Sequence, residues 1–109
     1  MGNGWRGSVP HRLSWLPEAL TDLIRLREFI HVHNPAAAGR AANRIREAVG
    51  KLPDHPLIGK SVDDIDDPTL RELFIPFGQG GYWLRYLVRE ENIIIVRIWH
   101  GRENRDIKP

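Results

Sequence analysis

Arg71, Arg85, Arg97, His100 and Arg102, all in the last third of the chain, are the residues whose types could do chemistry. Guanidinium groups grip phosphates or carboxylates with two parallel hydrogen bonds, and an imidazole titrates near neutrality. An imidazole can move a proton, and arginines can hold a phosphate or a carboxylate. The same arginines are interleaved with Trp83 and Trp99, a mixture that equally suits a protein partner or a nucleic acid. Each also has a bland use. A histidine at a strand end can be a hydrogen-bonded structural residue, and Arg85 and Arg97 can pair with Glu72 or with nearby aspartates. His31 and His33 fall on different faces at a helix end, so they do not make a metal pair, and no other metal or cofactor site is expected.

Three strand-like runs must position these residues. They are expected at residues 70–75, 81–89 and 93–99, separated by Gly78-Gln-Gly-Gly81 and Glu90-Glu-Asn92. Strict alternation predicts that Leu84, Tyr86 and Val88 face the same core as Ile94, Val96 and Ile98. The opposite face then carries Trp83, Arg85, Leu87, Ile93, Ile95, Arg97 and Trp99, with Arg71 a further candidate. An apolar face without helices of its own is a binding face or an aggregation hazard, so these residues are the candidate partner-binding surface. Upstream, residues 12–16 read as a short strand, and Pro17 suits the first turn of a helix. Leu20, Leu23, Ile24 and Ile30 recur at helical spacing up to about His33. Asn34-Pro35 starts a second helix, with Asn as cap and Pro at the first helical position. Its stripe of Ala38, Ala41, Ala42, Ile45, Ala48, Val49 and Leu52 ends before Pro53. The predicted fold class is α+β, in the order β-α-α-β-β-β, with an N-terminal strand and a helical hairpin packed on a mainly antiparallel sheet.

Bulk properties narrow the class. The 109 residues fit one domain, with residues 1–11 expected as a flexible leader and 12–109 as the folded unit. Sixteen Lys and Arg against fourteen Asp and Glu leave a formal charge of +2. That mild excess does not by itself predict nucleic-acid binding, but Asp63, Asp64, Asp66 and Asp67 cluster in one loop and leave the rest basic. The chain has no cysteine, so disulfides and thiolate metal sites are excluded. No apolar run reaches the length of a membrane span, and a cytoplasmic location is expected.

Several local motifs occur together: Pro17-Glu-Ala-Leu-Thr-Asp-Leu23, Asn34-Pro35, His55-Pro-Leu-Ile-Gly59, Arg71-Glu-Leu73, Gly81-Tyr82 through Tyr86, and His100-Gly-Arg-Glu103. In this order and length the chain resembles the RelE/ParE superfamily of bacterial toxins, from about Arg12 to Arg105. The resemblance implies the toxin of a type II toxin–antitoxin system, of the kind also called plasmid stabilization proteins. It also implies a cognate antitoxin that wraps the toxin in a hetero-oligomer. Two targets divide the superfamily: RelE-like members cut messenger RNA on the ribosome, and ParE-like members act on DNA gyrase without being enzymes. RelE-like nucleases resemble Gly-Tyr-Arg-Leu-Val-Tyr in the middle strand, where the arginine assists catalysis. Here Trp83 stands in that place, with Arg85 two residues on. Their lysine-rich stretch before the sheet is replaced by Ser61-Val-Asp-Asp-Ile-Asp-Asp-Pro68, of the wrong sign for RNA. Arg102 best matches a nuclease arginine. RNA cleavage by a 2′-hydroxyl needs a proton acceptor, a proton donor and cations around the phosphorane; the resemblance implies His100 as acid or base, Arg71, Arg85, Arg97 and Arg102 on the phosphate, and Glu47 as a more distant candidate base. The expectation is therefore a ParE-like growth inhibitor. The alternatives are an endoribonuclease using His100, Arg85, Arg97 and Arg102, or a non-toxic member that only binds a partner.

Overall fold

The computed structural model describes residues 11–101, so all of the expected leader except His11, and Arg102 as well, lie outside the described residues. Seven elements follow in order: β1 (Arg12–Trp15), α1 (Pro17–His33), α2 (Pro35–Lys51), β2 (Lys60–Ser61), β3 (Leu70–Phe77), β4 (Gly80–Arg89) and β5 (Asn92–His100). They form an α+β fold with one five-stranded sheet in the order β1-β5-β4-β3-β2. β1 runs parallel to β5, and every other pairing is antiparallel. The two-residue β2 is an element the sequence did not signal.

The helices begin and end where local chemistry dictates. Pro17 opens α1 at a position whose N–H would have no helical partner in any case. Asn34 serves both helices: its N–H closes α1 on the Ile30 carbonyl at 2.7 Å, and its side chain accepts from Ala37 N–H at 3.1 Å to cap α2. Pro35 then occupies the first helical position of α2. The hairpin therefore turns on a single residue. Ala38 and Ala41, both buried, are small enough to let α1 approach α2 closely.

The principal core joins the hairpin to one face of the sheet. It comprises Ala19 and Leu26 of α1, Ala41, Ile45 and Val49 of α2, Leu52, and Ile75, Tyr82, Leu84, Tyr86, Ile93, Ile95 and Ile98 of the sheet. Tyr82, Leu84 and Tyr86 take the face that alternation predicts, and Val88 packs against them.

β5 departs from the expectation. Ile93 and Ile95 lie in the helix-facing core at 0% exposure, whereas Val96 joins a second small cluster with Val62 and Leu70, against which Leu87 packs. The cause is a β-bulge. Arg85 stands opposite Arg97 but Tyr86 stands opposite Ile95, so Val96 is an extra residue and the side-chain phase reverses across it. Ile93 and Ile95 are thus core residues, not members of the opposite face, and of the expected trio only Ile98 points to the helices.

Arg71 is also corrected. It lies opposite Tyr86 in the register, hence on the helix-facing side, and does not join the other arginines. Its Nη1 donates to the Gly59 carbonyl at 2.6 Å. The Tyr86 hydroxyl accepts from Gly59 N–H at 2.8 Å and donates to the Pro56 carbonyl at 2.9 Å. A Cβ on Gly59 would lie 2.6 Å from the Glu72 carbonyl oxygen and 2.7 Å from the Tyr86 hydroxyl, so glycine is required for this close approach.

Candidate functional site

The face of the sheet away from the hairpin carries most of the residues singled out from the sequence. Cross-strand register places Glu72 opposite Arg85, Phe74 opposite Trp83, and Trp83 opposite Trp99. A guanidinium buried in a sheet is tolerable only when its charge is met. Arg85 donates through Nε and Nη2 to one Glu72 oxygen at 3.1 and 2.7 Å, and both side chains are almost wholly buried. Its guanidinium carbon also sits 5.2 Å from the Trp99 ring centroid, in cation–π range.

Arg97 is met by a different carboxylate. Its Nε and Nη2 donate to the two oxygens of Asp22 at 2.7 and 3.1 Å. Asp22 also accepts from the backbone N–H of Ile98 at 2.9 Å. β1 ends at Trp15, opposite Ile95, so among the described residues the β5 edge has no strand beside it from there on. Asp22, on α1, supplies the acceptor that a longer β1 would have given. Its position was legible in principle: Ala19, Asp22 and Leu26 are the buried residues of α1, so a carboxylate interrupts the helix's core-facing stripe.

The exposed part of this face centres on Trp83 and Phe74. Their rings lie 5.0 Å apart, and the Lys60 ammonium sits 5.7 Å from the Trp83 ring centroid. Phe74 is 40% exposed, and neither it nor Lys60 was singled out from the sequence. Trp99 lies beneath, only 2% exposed. Part of the face expected to be bare is covered. The aspartate loop turns Val62 and Ile65 down onto Leu70, Leu87 and Val96 while Asp63, Asp64 and Asp66 point outward. Asp67 accepts from the Thr69 hydroxyl at 2.7 Å and from its N–H at 3.0 Å, which holds the Asp67 carboxyl below its usual range.

His100 ends β5, with its ring edge-on to Tyr82 at 5.5 Å. Burial raises the Tyr82 phenol above its ordinary pKa. Glu47 is exposed on α2, where it lines a groove with Arg44 and Lys51 that does not include His100. Beyond the sheet, His31 and His33 are exposed, and His33 packs edge-on against Phe29. Among the described residues no group of three or more His, Asp or Glu could hold a metal ion, and no helix is long and apolar enough to cross a membrane.

Comparison with known proteins matches residues 13–105 to the family described as ParE toxin of type II toxin-antitoxin system, parDE. Toxin RelE1 of Caulobacter vibrioides is 38% identical over 87 residues, covering 80% of this chain and 89% of the relative. Toxin RelE3 of the same organism is 35% identical over 89 residues, covering 82% and 92%. Among solved structures, a chain of the chromosomal ParDE toxin–antitoxin system from P. aeruginosa superposes with a TM-score of 0.69 at 24% identity. It covers 85% of this chain and 98% of that one. The RelBE2 toxin–antitoxin complex from Mycobacterium tuberculosis gives a TM-score of 0.57 at 22% identity, covering 87% and 95%.

Proposed function

The chain belongs to the RelE/ParE superfamily of type II toxin–antitoxin toxins, and from that premise we propose that it inhibits growth in the cytoplasm by a ParE-like action on DNA gyrase. A cognate antitoxin then neutralises it in a toxin–antitoxin hetero-oligomer. One observation supports the choice of target: Arg85 and Arg97 are each paired with a carboxylate within the fold, and Arg71 is engaged by a backbone carbonyl. Arg71 donates to the Gly59 carbonyl, Arg85 to Glu72, and Arg97 to Asp22. A phosphorane needs cations whose charge is not already compensated, because stabilisation comes from charge that meets the transition state. Two ion pairs, one buried and one partly buried, and a backbone clamp support a scaffold role for these arginines, and leave Trp83, Phe74 and Lys60 as the surface that a protein target would touch.

The second reading, a RelE-like ribosome-dependent endoribonuclease, is favoured by the RelE name of the relatives and by His100 standing at the strand end beside Tyr82. It requires His100 as acid or base and a phosphate held by Arg85, Arg97 and Arg102. The two readings separate cleanly. Purified chain should block supercoiling by gyrase, and His100→Ala should leave that block intact. If the chain leaves gyrase unaffected, and His100→Ala abolishes both toxicity and messenger RNA cleavage on ribosomes, the gyrase reading fails. If the chain does neither, it is a member that only binds its partner.

A further inference from the structure

α1 hides one side and bares the other. Ala19, Asp22 and Leu26 are its buried residues, on the side that meets α2 and β5. The opposite side repeats an exposed side chain at every fourth position: Leu16 just before the helix, then Leu20, Ile24, Glu28 and Val32. Such a row forms a continuous ridge on a helix surface. Four of its five members are apolar, with Ile24 58% and Val32 80% exposed. Apolar side chains scattered singly over a surface need no partner, but a contiguous row marks a contact site. Ile24, Arg27, Glu28, His31 and Val32 line a depression of about 400 Å³ along this ridge. Arg27 and Glu28, of opposite sign, sit side by side in its middle, and both are exposed. Among the described residues neither makes an ion pair within the chain.

We propose that this face of α1 docks against the same face of a second copy of the chain, with the two helices antiparallel about a two-fold axis. The axis passes between positions 27 and 28. Arg27 of each copy then meets Glu28 of the other, and on either side Ile24 of one copy packs against Val32 of the other. The charges select the occupant. A patch with one cation beside one anion is complementary to itself under a two-fold, because every contact is made twice. A uniformly acidic or basic partner would set a like charge against one of the two. Ridges made of every fourth residue, interdigitating, are also the commonest way helices pack in globular proteins. Size sets the strength. A lasting interface takes about 800 Å² and some 20–30 residues from each partner, and one face of α1 offers far fewer. The dimer is therefore weak and concentration-dependent. It leaves the Trp83 surface uncovered, so the inference is independent of the target.

Sedimentation velocity of the full chain over a range of concentrations should show monomer giving way to dimer. Arg27→Glu and Glu28→Arg should each weaken association by about tenfold or more, because each sets like charges face to face. The double variant Arg27→Glu/Glu28→Arg exchanges the two charges and restores both pairs, so its affinity should return to within about threefold of the parent. Arg44→Glu, exposed on α2 and outside this face, should change association by less than about twofold. All these positions are exposed, so circular dichroism should show unchanged folding. If the chain stays monomeric at the highest concentration reached, or if the double exchange does not recover what the single reversals lose, the α1 interface is overturned. If the chain stays monomeric while Ile24→Glu weakens its complex with the antitoxin or with gyrase, the ridge belongs to that partner and the proposal falls.

Discussion

Truncating Glu72 to alanine would leave the Arg85 guanidinium buried without its carboxylate. The expected cost is about 3–5 kcal/mol, since removing one partner of a buried pair strands the other. Asp22→Ala should cost about 2–3 kcal/mol, because it deprives both Arg97 and the Ile98 N–H of an acceptor. Urea denaturation of the two variants checks this. Losses below about 1 kcal/mol in both would mean that the arginines are not held for structure and could serve a ligand instead. The sequence made Glu72 a visible partner for Arg85, because neighbouring antiparallel strands were evident. It did not connect Arg97 to Asp22: the two are 75 residues apart, and only the packing of α1 beside β5 brings them together.

At the scale of elements, the helices were legible because their ends are written in residues with one strong conformational use: Pro17, and Asn34 followed by Pro35. The phase of β5 was not. Ile93-Ile94-Ile95-Val96 is an unbroken apolar run, so nothing in it marks which side chains point inward, and the bulge at Val96 leaves no compositional trace. The corrected phase makes an opposed pair of predictions. Ile95→Ala should cost about 2–5 kcal/mol as a core truncation, whereas Ile94→Ala, on a partly exposed side chain, should cost well under that. Thermal unfolding of the two variants ranks them, and the reverse order would restore simple alternation.

Across the whole molecule, pH acts on stability through the buried phenols. Burial raises the Tyr86 pKa, against the opposing pull of the Gly59 hydrogen bond and of Arg71, and burial alone raises that of Tyr82. Such groups hold their protons more tightly when folded. Their contribution is fully present below the unfolded value of about 10 and is lost as pH rises through the folded one. The unfolding midpoint should therefore fall above about pH 10. Tyr86→Phe should remove part of that dependence while costing about 1–3 kcal/mol at neutral pH, because Gly59 N–H and the Pro56 carbonyl lose their partner. A midpoint that stays flat to pH 11 in the parent chain would contradict the burial argument. The α+β layout was legible from element order, but the role of the aspartate loop was not. Its four carboxylates announced a solvated segment and masked the two apolar residues, Val62 and Ile65, that fasten it to the sheet. The economy of the hairpin turn has a practical side. Because Asn34 is shared by α1 and α2, one inserted residue there would separate the two roles it fills, and a fused peptide tag would pull the helices apart. Among the described connections, the outward-facing stretch at Asp63 and Asp64 is where an epitope or fluorophore could be carried, and the hairpin is where one should not be placed.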